Sequence, residues 1–244
     1  MKKVEKVSWA DEEFQLNGDK YCDDVQARLE YLRNPCDYSA LPYWKEVKFI
    51  KPANMEIYHE NQWNILQENK KEGFIKVDKF FRVKHSLEQV DTKDLPKDFR
   101  CRTFDPNNEE DYHKVLEIIK LSYPNTNLTI DTLKEYTKSN VYDNNLWLFI
   151  DKINNDNHMP LAFGLADFDP FMKEGILEWI QVLPEYRGRG LGKLLVNELL
   201  VRMRVKARFA TVSGDCNNIT NPIGLYRKTG FTGNSIWYIA YKGQ

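Results

Sequence analysis

Short apolar runs alternate with periodic apolar segments from residue 99 to the C-terminus. The runs predict strands and the periodic segments predict helices, because a strand alternates faces at every second residue whereas a helix turns once in about 3.6. The clearest helix covers residues 190–206, where leucine and methionine recur at helical spacing: Leu191, Leu194, Leu195, Leu199 and Met203. This succession is typical of a mixed α/β domain around one sheet.

The remaining elements follow from the same pattern. Strands are predicted at residues 99–104, 146–150, 161–167, 176–183, 209–213 and 235–241. Helices are predicted from Asn107 or Asn108 to about 123, from Thr129 or Asp131 to about 139, and over 222–228, since short polar residues cap helix starts.

Residues 1–95 have a weaker pattern. A helical stretch includes residues 28–32, and strand-like pieces occur at 45–50, 55–58 and 80–83. The polar segment 91–99 contains one proline and neither period, so it predicts a linker or exposed loop. We therefore expect an N-terminal module at 1–95 and a second domain at 96–244.

Composition and charge narrow the function classes. Lys plus Arg number 35 and Asp plus Glu number 36, a net charge of −1, which argues against binding nucleic acid or an acidic membrane by bulk charge. No apolar run approaches about 18 residues, and no signal-peptide core follows Met1, so we expect a cytoplasmic protein. The four cysteines form no CxxC pair and the four histidines are scattered, so reduced thiols and no metal are expected.

A glycine-rich turn between a strand and the 190–206 helix is the most informative segment. Ten of the twelve glycines lie at Gly164 or later, and glycines at such a turn let backbone N–H groups converge on an anion. Seven basic residues and one acid lie between residues 187 and 208. The later ones suit the helix dipole, but Arg187, Arg189 and Lys193 lie at the end that disfavours cations. A bound phosphate is predicted there.

Two nucleotide-binding motifs do not fit this turn. A P-loop requires Ser or Thr directly after its lysine, but Leu194 follows Lys193. A dinucleotide fingerprint requires a small third residue, and that position falls on Lys193 when counted from Gly188, or on Leu195 when counted from Gly190. The remaining pattern is Arg187-Gly188-Arg189-Gly190-Leu191-Gly192.

This pattern, preceded by Val182, Pro184 and Tyr186, resembles the acyl-CoA loop of the GNAT superfamily of acetyltransferases. A later segment resembles that family's Asn…Leu-Tyr-x-Lys-x-Gly-Phe motif: Asn221-Pro222-Ile223-Gly224-Leu225-Tyr226-Arg227-Lys228-Thr229-Gly230-Phe231. The resemblance covers about residues 99–244. It implies an α/β fold with a mixed central sheet and flanking helices, the GNAT acyl-CoA-binding fold, beside a smaller N-terminal α+β module.

The resemblance implies acyl transfer from acetyl-CoA to an amine by direct attack in a ternary complex. The backbone around Ile180 and Val182 would pair with the pantetheine arm, and Asn221 would contact the same arm. Backbone N–H groups of the turn would hold the pyrophosphate, and they belong to Arg187, Gly188, Arg189, Gly190, Leu191, Gly192 and Lys193.

Two catalytic roles follow from the resemblance and from proton chemistry. Tyr226 matches the family's general acid, which returns a proton to the leaving thiolate. The amine must lose a proton before attack, and Glu178 is a candidate base because a period of two puts it on one face with Ile180 and Val182. Asp167 and Asp169 are rival bases.

The acceptor is left open by the sequence. A small-molecule amine is the first expectation, a protein or peptide amine the second, and an acyl-CoA-binding regulator without turnover the third. Nucleic-acid binding through residues 187–208 is a weaker alternative, since no reading motif accompanies them. Residues 1–95 fall outside the usual family pattern and are expected to be a lid or a degenerate second copy. The chain is expected to be a monomer or a homodimer.

Overall fold

The computed structural model describes residues 55–60, 63–64, 73–92, 95–124, 126–139, 141–154, 157–170 and 173–242. They form two compact units that each combine segments distant in sequence. The described part of the first unit lies within 55–84, 213–223 and 232–242, and the second unit comprises 85–212 and 224–231. The predicted division between residues 95 and 96 stays a prediction.

The described residues of the second unit form a mixed sheet with the strand order β3-β4-β5-β6-β7. Strands β3 to β6 pair antiparallel, whereas β6 and β7 run parallel. The bounds are β3 Phe99–Thr103, β4 Trp147–Asn154, β5 Asn157–Asp169, β6 Glu174–Val182 and β7 Phe209–Asp215. The predicted strands in this part of the chain are confirmed, as is the mixed sheet.

Four helices accompany the described strands: α1 Glu109–Ser122, α2 Ile130–Tyr136, α3 Leu191–Met203 and α4 Pro222–Lys228. Their starts follow local chemistry, since the Asn108 side chain accepts from the N–H of Glu110 and Thr129 caps α2 in the same way. Two short 3-10 turns, Asn144–Leu146 and Pro184–Tyr186, precede β4 and the glycine-rich segment. The predicted helices are confirmed, with ends that differ by a few residues.

The helices cover opposite faces of this sheet. A Cβ atom added to Gly164 would lie 3.0 Å from Leu195 Cδ1, and one added to Gly175 would lie 2.5 Å from Met203 Sδ. Those two glycines therefore allow α3 to pack closely on β5 and β6. On the other face, the ring of Tyr123, which follows α1, meets Trp179 of β6 edge-on, with centroids 5.5 Å apart.

The first unit contains an antiparallel sheet in which β8 lies between β1 and β2. Its strands are β1 Met55–His59, β2 Phe74–His85 and β8 Thr232–Lys242. Trp63 stacks on Tyr238 with ring centroids 4.8 Å apart. The predicted pieces at 55–58 and 80–83 are confirmed as parts of β1 and β2, while those at 28–32 and 45–50 lie outside the described residues.

Buried carboxylates fix the start of α1 to the edge of the second unit's sheet. The Arg102 guanidinium forms two hydrogen bonds to Asp111, of 2.7 and 2.9 Å, and another of 2.9 Å to Asp151. The Asp111 side chain is 1% exposed and also accepts from the backbone N–H of Asp105. Asp111 therefore joins β3, the following turn and α1.

We expect Asp111→Ala to lower the free energy of unfolding by about 3 kcal/mol, because it removes the two hydrogen bonds from Arg102 and the one from the Asp105 N–H, and leaves the half-buried guanidinium with Asp151 as its carboxylate partner. The lower end of the usual range applies since Arg102 keeps some solvent contact. Urea unfolding followed by circular dichroism measures the loss. The matched control is Glu110→Ala, which removes only an exposed pair with Lys114 and should cost under about 0.5 kcal/mol. Equal losses in the two variants would contradict this account.

Candidate active site

One edge of β6 loses its partner halfway along the strand. The pairing of β6 with β7 runs from Glu174 and Phe209 to Leu177 and Val212 and ends there in the described residues, whereas β6 continues to Val182. Over residues 178–182, β6 is therefore paired on the β5 side alone. Its backbone N–H and C=O groups on the other side are available to an extended ligand, as at any free strand edge.

A β-bulge interrupts β6 at the start of this free edge. Leu165 of β5 pairs with Trp179, but Ala166 pairs with Leu177. Glu178 is thus an extra residue with no partner across in β5. Such a residue disturbs the alternation of side chains along a strand.

The bulge changes which side chains share a face. Gly164 faces α3 and pairs with Ile180, so Ile180 and Val182 face α3, as Gly175 does before the bulge. Regular alternation from Gly175 would have put Ile180 on the opposite face. Because the extra residue interrupts the period of two, alternation alone does not assign Glu178 to a face, and its placement beside Ile180 and Val182 stays a prediction. The role of Glu178 as base stays a prediction.

The glycine-rich turn leads from β6 into α3 as predicted. Gly188 and Gly190 have φ angles of +75° and +84°, and a Cβ atom added to either would meet nothing within 4 Å. Gly190 is the N-cap of α3 and supplies no side-chain cap. The N–H groups of the first helical turn, residues 191–193, therefore lie at the positive end of the helix without a side-chain cap and next to the open space at Gly188 and Gly190, which suits an anion.

The basic side chains at this turn are held close to it. Arg187 Nε donates to the Val182 carbonyl over 3.0 Å, and the Arg189 guanidinium donates to the Glu185 carbonyl over 3.3 Å. Lys193 Nζ lies 3.1 Å from Asp91 Oδ2. The loop thus presents cationic groups beside the uncapped helix start.

The later basic residues have structural roles. Arg202 donates to Glu198 and Thr103, and Lys206 pairs with Asp143. These contacts fix the C-terminal half of α3 to β3 and to the turn before β4. The helix dipole and these local pairs therefore explain why basic residues occur in that half of the helix, without a bound anion.

Gly192 brings three predicted segments together. A Cβ atom added to it would lie 3.3 Å from Leu225 Cδ2 and 3.7 Å from Val182 Cγ2. The end of β6, the start of α3 and helix α4 therefore meet at this glycine. Tyr226 follows Leu225 on α4 and is 6% exposed, and its ring packs against Phe231 with centroids 5.6 Å apart.

The Tyr226 hydroxyl lies in an environment that keeps it protonated. Burial raises the pKa of this phenol well above its ordinary value, and the nearby Tyr123 and Glu178 raise it further. At neutral pH the group is therefore a hydrogen-bond donor with a retained proton. The electrostatic effect of Glu178 also shows that the bulge residue lies near Tyr226.

Two aromatic residues near these groups were not singled out from the sequence. Tyr123, 41% exposed, and Trp179 form the edge-on pair described above, and Trp179 directly follows Glu178. The rival bases Asp167 and Asp169 are buried on β5. Asn221 belongs to the first unit, has a φ of +47° and is exposed. Its contact with a cofactor stays a prediction.

His85 supports the turn that ends α4. Its Nδ1 accepts from the N–H of Leu87 over 2.9 Å, and a Cβ atom added to Gly230 would lie 2.7 Å from its Nε2. Its ring meets Phe231 at a centroid distance of 5.3 Å. Burial lowers the pKa of His85, with a backbone hydrogen bond to Thr229 acting in the opposite direction. The neutral ring is therefore the form that fits this packing.

We expect the stability of the protein to fall as the pH drops below about 6.5, the ordinary pKa of histidine. The folded-state pKa of His85 is lower, so the unfolded chain binds more protons in that window and protonation favours unfolding. His85→Gln should show a shallower loss between pH 7 and 5.5 in urea titrations. The exposed His113→Gln is the control and should keep the wild-type slope. Identical slopes in all three proteins would contradict the assignment.

The described residues contain no group of three or more His, Cys, Asp or Glu side chains that could hold a metal ion. In the same residues, no helix is both long enough and apolar enough to cross a lipid bilayer.

Comparison with known proteins points to one family. Residues 148–233 match the family model described as an acetyltransferase (GNAT) domain. No curated protein sequence matches the chain. Among solved structures, the chain is similar to a GCN5-related N-acetyltransferase from Sphaerobacter thermophilus, with a TM-score of 0.61 and 19% identity over 79% of this chain and 62% of that one.

Two further solved structures are similar. One is a Drosophila protein, with a TM-score of 0.53 and 21% identity over 74% of this chain and 56% of that one. The other is a GCN5-related N-acetyltransferase from Kribbella flavida, with a TM-score of 0.50 and 13% identity over 78% of this chain and 68% of that one. At these identities the similarity shows the fold alone, and the chain spans less than two thirds of the first two proteins.

The mixed sheet, the free edge of β6 and the glycine turn define the class first: an α/β fold in which an open strand edge adjoins an uncapped helix start. The matched segment, residues 148–233, contains that edge, that turn and Tyr226. This segment of the chain is therefore similar to the acetyltransferase domain of the GNAT family.

Proposed function

We propose that this protein transfers an acetyl group from acetyl-CoA to the primary amine of a small molecule, by direct attack while both substrates are bound. The proposal rests above all on the meeting of three parts at Gly192: the free edge of β6, the uncapped start of α3 and the helix that carries Tyr226. The free edge of β6 suits an extended arm that carries amide groups, and the start of α3 suits a diphosphate. The helix with Tyr226 suits a leaving thiolate.

The residues present fit acetyl-CoA, which supplies an activated acetyl thioester when bound. The open space at Gly188 and Gly190 leaves room for phosphate oxygens, and the N–H groups of residues 187–193 would donate to them. The backbone around Ile180 and Val182, apart from the Val182 carbonyl that accepts from Arg187, would pair with the amide groups of the arm, as an added strand does. Asn221 is assigned by resemblance alone.

The side chains near Tyr226 suit the movement of protons. Glu178 is half-buried and forms no hydrogen bond or ion pair within the described part of the chain, so its carboxylate can accept a proton from an ammonium group. Tyr226 retains its proton and can donate it toward the developing thiolate. An N–H near Val182 would donate to the thioester oxygen.

The choice of a small amine rests on the aromatic pair. Trp179 directly follows Glu178 in β6 and its ring meets that of Tyr123, and aromatic faces attract organic ammonium ions. A peptide amine is the second candidate, and an acyl-CoA-binding regulator without turnover is the third. The cytoplasmic location and a monomeric or homodimeric state stay predictions.

A thiol-release assay tests the proposal. The purified chain would be mixed with acetyl-CoA and, in separate reactions, with a short aliphatic diamine, an amino sugar or a peptide with a free N-terminus. We expect thiol release that requires a primary amine, with triethylamine as the unreactive control, and products that carry one added acetyl group by mass spectrometry. Turnover with the peptide alone would overturn the small-molecule assignment. Absence of turnover with every amine, despite acetyl-CoA binding, would favour the regulator.

A further inference from the structure

A cavity of about 280 Å³ lies in the second unit beside α3, between that helix, the edge strand β3, its neighbour β4, and the residues Asp91, Thr92 and Leu95. None of the residues predicted to hold acetyl-CoA lines it. Part of its wall is aliphatic, formed by Leu95, Ile150, Leu194 and Val201. The cavity is therefore a second candidate binding site, separate from the free edge of β6.

The polar part of the lining consists mostly of hydrogen-bond acceptors. Asn197 is 5% exposed, and its Oδ1 has no hydrogen-bond partner in the described residues. Asp91 uses Oδ2 for Lys193, and Glu198 uses Oε1 for Arg202, so within the described chain each carboxylate keeps a second oxygen unengaged. Leaving a buried polar group unsatisfied costs about 1–3 kcal/mol. A ligand with donor groups would remove that cost.

We propose that this cavity binds a small primary ammonium ion with an aliphatic body. The ammonium group offers three donors and a positive charge to the two carboxylates and the amide, and the aliphatic body fits against the leucine, isoleucine and valine side chains. An anion would be repelled by Asp91 and Glu198. The Cys101 thiol in the lining adds no further charge, since burial, together with nearby Glu198, raises its pKa to about 11 and keeps it protonated.

Occupancy of the cavity is coupled to the glycine turn through Lys193. The Asp91 carboxylate that lines the cavity is the partner of Lys193, and this pair is partly exposed on both sides. An ammonium ion on Asp91 competes with Lys193 and releases it. Lys193 lies in the first turn of α3, so its release adds a free cation where the diphosphate is placed. This coupling step rests on the proposed function, whereas the cavity itself does not.

An NMR titration of the full chain with butylammonium chloride tests the site, with 1-butanol as the uncharged control. We expect saturable shifts of the Asn197 and Val201 amides with butylammonium and none with butanol. Asn197→Leu should weaken the affinity at least about 10-fold without lowering the melting temperature, because an apolar side chain replaces an unsatisfied amide. If Asn197 merely supported the fold, Asn197→Leu would instead lower the melting temperature. Glu178→Gln is the matched control and should leave these shifts unchanged.

Lys193→Gln distinguishes competition from simple binding. Because the variant removes the cation that occupies Asp91, it should bind butylammonium several times more tightly than the wild type. Equal affinity in the two proteins, equal binding of butanol, or unchanged affinity in Asn197→Leu would overturn the proposal.

The coupling is measured with coenzyme A itself, which cannot be turned over. Saturating butylammonium chloride, compared with equal potassium chloride, should tighten coenzyme A binding severalfold in the wild type and not in Lys193→Gln. Tight coenzyme A binding that ignores butylammonium would overturn the coupling alone. Failure to bind coenzyme A would overturn the proposed function. The butylammonium titration would still show whether the cavity binds an ammonium ion.

Discussion

Replacement of Tyr226 by phenylalanine is expected to lower kcat by about 100-fold, within the range usual for loss of a general acid, with little change in the affinity for acetyl-CoA. The phenol is buried, and its pKa is raised by burial and then by Tyr123 and Glu178. It therefore enters the reaction with its proton in place. The thiol of the leaving group has an ordinary pKa of about 8.5, so the phenol acts by position, as a donor aimed at a sulfur that is gaining charge.

A second tyrosine provides the control for this prediction. Tyr112 is 3% exposed, and its hydroxyl donates to the Pro106 carbonyl over 3.2 Å. Tyr112→Phe should lower the free energy of unfolding by about 1 kcal/mol, the usual net value of one hydrogen bond, and leave kcat unchanged. Steady-state kinetics on both variants separate chemistry from packing. A wild-type kcat in Tyr226→Phe would remove Tyr226 from the mechanism.

Replacement of Gly190 by aspartate is expected to weaken acetyl-CoA binding at least about 100-fold, or about 2.7 kcal/mol. Gly190 is the N-cap of α3, and a Cβ atom there meets no neighbour within 4 Å. An aspartate side chain finds room in this space, and its carboxylate lies beside the N–H groups that would hold the diphosphate and repels it. The φ of +84° also strains any side chain at this position, so part of the cost falls on folding.

Asparagine at the same position separates charge from shape. Both residues tolerate the left-handed region and both are good N-caps. Gly190→Asn should therefore melt close to Gly190→Asp yet retain clearly more affinity for acetyl-CoA in calorimetric titrations. Wild-type affinity in Gly190→Asp would refute the placement of the diphosphate.

The second unit could be predicted largely from local signals. The Asn108 and Thr129 caps, the helical spacing of the leucines in α3 and the glycines of the turn are short-range patterns, and the structure has helices and a turn at those positions. The family resemblance followed from two such patterns in the correct order, and the match over residues 148–233 confirms it.

Other features depend on pairing between distant residues. The bulge at Glu178 arises from the register of β6 against β5, which no local pattern encodes, so alternation counted from the sequence does not carry across that residue. The Asp91–Lys193 pair joins residues 102 positions apart. Trp179 next to Glu178 was a visible signal, but its partner Tyr123 lies on another element. Long-range register and aromatic contacts therefore account for what the sequence did not predict.

Direct titration of the wild-type chain with acetyl-CoA tests the central claim. We expect saturable binding and, at about 100 times the Kd, a gain of about 2.7 kcal/mol in stability, which raises Tm by about 5–10 °C in a chain of this size. NAD and ATP at the same concentration should give smaller shifts. The account would be contradicted if the protein failed to bind acetyl-CoA although mass spectrometry after denaturation showed that it carried no coenzyme A.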